Sequence, residues 1–172
     1  MSCVLSNGQA RDCSDSLGGI VEVLISERDN VTATTVANGD ISAITQSGVT
    51  SFYRYELKKE SGSLTSTATV DQAGGTSFYD NVVAFTINKM SAAKSNEIKM
   101  LLLARLFVIV KDNNGVYWAL GNDNFCEGSS LVGQTGQAYG DPNQYQIELT
   151  DKSQFPCYGV QSSVVAGLTI SA

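Results

Sequence analysis

The run Ser91-Ala-Ala-Lys-Ser-Asn-Glu-Ile-Lys-Met-Leu-Leu-Leu-Ala-Arg105 passes without a break into Leu106-Phe-Val-Ile-Val-Lys111, and the change of period between them decides the fold. In the first half Ile98, Leu101, Leu102 and Arg105 recur at helical spacing, and Met100 and Leu103 widen the apolar stripe. Lys94, Glu97 and Lys99 occupy the remaining surface, and Ser91 can cap the first turn through its hydroxyl. The second half is a β-branched and aromatic run that suits a strand. Asp112-Asn-Asn-Gly115 then supplies a turn, and Val116-Tyr-Trp-Ala-Leu-Gly121 pairs back across it. One α-helix at about 91–105, feeding a hairpin, is therefore expected.

Working outward, the rest of the chain reads as strands and turns. Gly18-Gly19 opens the apolar strand Ile20–Ile25; short strands over 31–36 and 41–45 flank the turn Asn38-Gly39-Asp40. Residues 52–58 alternate, with Phe52, Arg54, Glu56 and Lys58 on one face and Tyr53, Tyr55 and Leu57 on the other, which predicts one buried side. The Ser/Thr-rich segment 63–70 follows a turn at Lys59–Gly62, so 51–70 reads as a long hairpin whose second strand is too polar to lie over the core. Strands are also expected over 82–87, 144–150 and 163–171. Phe155-Pro156 limits the element after it to an edge or a turn. Residues 1–17 read as an N-terminal arm and 122–143 as a long Gly-rich loop. A loop of that length is usually functional. The expected fold is one mainly β domain over 1–172, with two packed curved antiparallel sheets, sandwich- or barrel-like, and one helix.

Composition narrows the function classes. The 172 residues carry 17 acids against 11 bases, a net charge of −6, which opposes tight binding of phosphate backbones. The absence of histidine removes Ser-His-Asp and Cys-His catalysis and most catalytic zinc sites, so an enzyme is not expected. Cys3, Cys13, Cys126 and Cys157 form no CxxC pair and are expected to be free, mostly buried thiols, although Cys3 and Cys13 could close a small loop. No basic-then-apolar leader and no membrane-length apolar run are seen, so synthesis in a cytoplasm without a membrane anchor is expected.

Four constellations could carry chemistry. Asp123, Glu127 and Asp141 could approach one another as hydrolytic carboxylates, and Asn122-Asp123-Asn124 with Glu127 superficially resembles a calcium loop. That loop lacks the central glycine and the twelfth-position glutamate of an EF-hand, and solvated loop acids are the plainer reading. Gly133-Gln-Thr-Gly136 and Gly140-Asp141 have neither a following helix nor a P-loop lysine, so they read as turn glycines. Aromatics such as Trp118 and Tyr139 could form a carbohydrate-binding platform, but core and interface packing is their commoner use. No catalytic, cofactor or metal residue is assigned.

The order of these signals resembles the tail-tube and related tail or neck proteins of tailed bacteriophages, including virion proteins of phages that infect gut Bacteroides-type bacteria. The pieces that carry the resemblance are Arg11-Asp-Cys-Ser-Asp-Ser-Leu-Gly-Gly-Ile20, the helix–strand block 96–111, Asn114-Gly-Val-Tyr-Trp-Ala-Leu-Gly121, and Ser130 through Gly140-Asp141 into Tyr145-Gln-Ile-Glu-Leu-Thr150. The resemblance implies two curved sheets of tail-tube type flanked by a helix. It also implies self-assembly into ring-forming homo-oligomers, commonly hexamers, stacked into a conduit for genome DNA within the virion, alongside other tail or neck proteins. DNA would be only a non-specific passing cargo. A hairpin or arm would reach the next ring. Two alternatives remain: a carbohydrate- or receptor-binding β-sandwich module, with its site in 122–143, and the tube protein of a contractile injection machine.

Overall fold

The computed structural model describes residues 8–47 and 52–171. In chain order it contains β1 (Ile20–Glu27), β2 (Val31–Ala37), β3 (Asp40–Gln46), β4 (Phe52–Glu56), β5 (Gly62–Asp71), β6 (Thr76–Asn88), α1 (Ala92–Leu103), β7 (Leu106–Asp112), β8 (Tyr117–Leu120), β9 (Glu127–Gln134), β10 (Gln144–Ser153), β11 (Tyr158–Val160), α2 (Ser162–Ala166) and β12 (Ile170–Ser171). The strands form an eight-stranded sheet, β12-β4-β1-β7-β8-β11-β3-β2, and a four-stranded sheet, β5-β6-β10-β9. The protein is mainly β with two sheets, the larger curled into a half-barrel.

The curl explains why residues 23–25 of β1 and 106–110 of β7 are apolar and buried without alternation. A strand buried on both faces has no polar side to alternate with. Val23, Ile25, Val108 and Val110 face the core between the two sheets, together with Val83, Ile147, Leu149 and the helix residues Ile98 and Leu101. Leu24, Phe107 and Ile109 point the other way, into a second core inside the curl, where they meet Ile41, Phe52 and Val165. Phe52 and Phe107 pack edge to face there, with ring centroids 6.1 Å apart.

The helix–strand–hairpin block forms as its sequence predicts. Ser91 is the N-cap, its Oγ accepting from the Lys94 amide at 3.3 Å. The helix ends two residues before Arg105. β7 and β8 pair antiparallel from Val108↔Leu120 to Lys111↔Tyr117. The Asp112 carboxylate accepts from the amides of Asn114 and Val116, both at 2.8 Å, and so shapes the turn between them.

Elsewhere the expectations are corrected. The 51–70 hairpin does not form. β4 pairs with β1 and β12 in the larger sheet, whereas β5 pairs with β6 in the smaller one (residue 51 lies outside the described residues). The chain changes layers at Gly62, where a Cβ would come within 2.6 Å of Ile20 and 2.7 Å of Leu57. Nor does β4 have one buried side: Phe52 enters the curl while Tyr55 and Leu57 pack between the sheets. The segment 122–143 is not one long loop, because β9 occupies its centre and pairs with β10. Residues 163–171 are not a single strand: α2 comes first and only Ile170–Ser171 pair, parallel to β4. Among the described residues there are thus two α-helices, and the β11–β3 and β12–β4 pairings are parallel in a larger sheet that is otherwise antiparallel. β11 is an interior strand between β8 and β3; Pro156 stays just outside it.

Of the expected arm, residues 8–17 are exposed and carry no helix or strand. Its end is pinned by Asn114, which accepts from the Leu17 amide and donates to the Leu17 carbonyl, each at 2.9 Å. Cys3, and with it the Cys3–Cys13 loop, lies outside the described residues. Cys13, Cys126 and Cys157 are free, as expected; Cys126 is buried and Cys157 half-buried, whereas Cys13 departs from the expected burial and is exposed.

Candidate assembly surface

The smaller sheet has one covered face and one open one. Tyr145, Ile147, Leu149, Val83 and Phe85 point into the core between the sheets. Their alternates point outward. The cross-strand register places Ser63, Thr65 and Thr67 of β5 beside Ala84, Val82 and Asp80 of β6 on that open face, and Thr86 beside Gln146 of β10. The face is mostly polar and uncharged. Within the four strands Lys152 is the only cation, against the acids Asp71, Asp80, Glu127, Glu148 and Asp151. Lys152 Nζ sits 3.7 Å from Asp80 Oδ2 and 5.7 Å from the Phe78 ring centroid, so its charge is engaged within the face.

The outer strands of this sheet, β5 and β9, each leave one edge unpaired among the described residues. With four antiparallel strands, these two edges run in opposite directions. They are also staggered. β5 lies opposite Thr76–Phe85 of β6, from Asp71↔Thr76 to Gly62↔Phe85. Through β10, β9 lies level with Val82–Asn88. The strand midpoints therefore differ by about four residues along the strand direction.

A buried polar network lies on the covered side, near the β5 end. Asp151 is 3% exposed; its Oδ2 accepts from the Gly121 amide at 3.1 Å and from Asn81 Nδ2 at 3.5 Å. Asn81 also donates to Ser153 Oγ at 3.2 Å and accepts from Ser66 Oγ at 2.6 Å. Asp151 Oδ1 has no partner. Burial raises the Asp151 pKa, against the opposing effect of the Gly121 amide. Burial and, after it, the nearby Asp151 charge also push the Cys157 thiol up to about 12, and burial raises Cys126 as well, so neither is a poised nucleophile. The network specifies how the layers meet, and at its margin Ser66 and Cys157 line a cavity of about 400 Å³ with Leu64 and Trp118.

The acids singled out in the sequence are used separately. Asp141 Oδ2 accepts from the amides of Ala138 and Gln137, both at 2.8 Å; these two bonds lower its pKa and close its loop. Asp123 accepts from the Tyr158 hydroxyl at 2.9 Å, and Glu127 begins β9. Among the described residues no three Asp, Glu or Cys side chains are grouped to hold a metal. Trp118 is half-buried against the inter-sheet core, its indole N–H donating to Asp112 Oδ2 at 3.4 Å. Tyr139 is fully exposed, on the loop after β9. The other aromatics are likewise spread through the two cores and the surface.

A cavity of about 630 Å³ lies at one end of the open sheet, where Lys58, Lys59 and Lys89 stand with Glu60 and Asp141. Sequence reasoning did not find this surface, because two of its edges depend on β9 and on the separation of β4 from β5. Only the Ser/Thr richness of 63–70 pointed to it. No family model, curated protein or solved structure matches the chain.

Proposed function

We propose that this protein is a virion structural component that self-assembles edge to edge into rings, which stack into a tail tube or a tail or neck conduit for DNA. The observation that carries the reading is the four-stranded antiparallel sheet with two long unpaired edges of opposite direction and a wet, cation-poor face. When β9 of one copy meets β5 of the next, the antiparallel alternation continues through any number of identical subunits. Such head-to-tail contacts close into rings. They also satisfy backbone groups that an isolated sheet leaves open.

The stagger supports closure as well. Side chains keep their faces only if the shift between copies is even, and four residues fits the observed offset. That is about 13 Å of slide across about 19 Å of sheet width, a strand tilt of about 35°, at the lower end of the range of closed barrels. Six copies at this tilt would enclose a lumen of about 35 Å after allowing about 5 Å of side chain on each wall. Four copies would leave only about 20 Å, roughly the width of a B-DNA duplex. Within its strands the inward face would offer phosphate one cation, Lys152, already paired with Asp80, and the lysines at its end, Lys58, Lys59 and Lys89, stand beside Glu60 and Asp141, so DNA would be gripped only weakly.

Negative-stain electron microscopy across a concentration series tests the reading. Hollow rings or tubes are expected for the wild type, and Val132→Asp should abolish them, because Val132 is 46% exposed on the open face of the β9 edge strand. A wild type that stays monomeric at high concentration, or tubes unaffected by Val132→Asp, would defeat it.

A further inference from the structure

Two apolar surfaces flank the free edges of the smaller sheet, and neither is covered by other described residues of the chain. On β5, Leu64 reaches the inter-sheet core, but further along the same face Ser66, Ala68 and Val70 are exposed, Val70 by 65%. At the other edge α1 lies behind β9. A Cβ on Gly133 would meet Met90 Cε at 3.1 Å, and one on Gly128 would meet Leu102 Cδ2, so the helix runs antiparallel to the strand and ends near Gly128. Leu103 is the next residue round the helix, one turn after Lys99, and is 76% exposed. Leu131 of β9, on the covered face, is 38% exposed at the same edge.

We infer that Leu103 of one copy packs beneath Ala68 and Val70 of the β5 strand of a second copy, closing the apolar layer behind the shared sheet. The inference rests on the edge-to-edge reading above and sets its register. A four-residue slide brings Gly133 opposite Leu64 of the second copy, Leu131 opposite Ser66 and Gly128 opposite Ala68, with covered faces matched throughout. Val70 then falls one step past the start of β9, where α1 ends and Leu103 projects. A slide of two residues would leave Val70 well beyond the helix; a slide of six would carry Leu64 past the far end of β9. The second copy thus supplies the cover that the distal half of β5 lacks, and takes Leu103 out of water in return.

Oxidative cross-linking tests this contact. A Val70→Cys/Leu103→Cys double variant, treated with diamide, should give a ladder of covalent oligomers on a non-reducing gel, because the bond forms only when the two Cα atoms lie within about 7 Å. Either single variant, with the parent chain as the background control for Cys13, should show no ladder. Leu103→Asp should keep its circular dichroism spectrum and lose its rings. Rings in micrographs without a ladder from the double variant would overturn this contact and leave the conduit reading standing. Neither rings nor ladder would overturn both.

Discussion

The two sheets of this protein treat their faces in opposite ways. The larger sheet buries both: one against the smaller sheet and α1, the other inside its own curl around Phe52, Phe107 and Val165. The smaller sheet buries one face and leaves the other wet, and its outer strand β5 is exposed along most of its length. Stability and assembly are therefore divided between the layers. Apolar area removed from water holds the larger sheet together. The smaller sheet keeps backbone edges and polar side chains for contacts that form outside the chain.

The sharpest way to break this contrast is to empty the curl. Phe107→Ala removes a fully buried ring from the second core and should cost about 3–5 kcal/mol in denaturant unfolding. A loss under 1 kcal/mol would mean that the curl is not a true core.

A smaller effect is expected where the layers meet. Burial raises the Asp151 pKa, so the folded state disfavours its charged form. The sign follows from linkage. The fold is not penalised below the unfolded value of about 3.9. The penalty grows as pH rises toward the folded pKa and is constant above it. Asp151→Asn should therefore raise the melting temperature relative to wild type at pH 7, and the difference should fade as pH drops below about 4. An equal or larger advantage at low pH would contradict the assignment.

The smallest effect belongs to the open face. Thr67→Ala on β5 should change unfolding free energy by no more than about 0.5 kcal/mol. A loss of 2 kcal/mol would show that this face packs against something within the chain.

Much of this contrast was legible in the sequence. The apolar runs of β1 and β7 marked them as strong strands, and the Ser/Thr run 63–70 marked a strand away from the core. The errors have local physical reasons. Segments 52–58 and 63–70 are neighbours across a turn, and a hairpin is the shortest way to pair them. What separates them is Phe52, whose place is inside the curl, and the tight passage of Gly62 between Ile20 and Leu57. β9, Glu-Gly-Ser-Ser-Leu-Val-Gly-Gln, is poor in strand-forming residues and becomes a strand because β10 offers it a ladder. Helix α2 is only five residues, rich in valine, and is held by Val165 filling the curl. Its local preference points to a strand.

By itself the sequence determined the capped helix, its direct passage into β7, the β7–β8 turn and the mainly β class. Each depends on contacts a few residues apart, where spacing and side-chain chemistry are sufficient. Only the tertiary structure decided which strands share a sheet, which edges stay open and how far those edges are staggered. Those properties depend on long-range pairing, in which a strand takes its partner from the packing of residues far away along the chain.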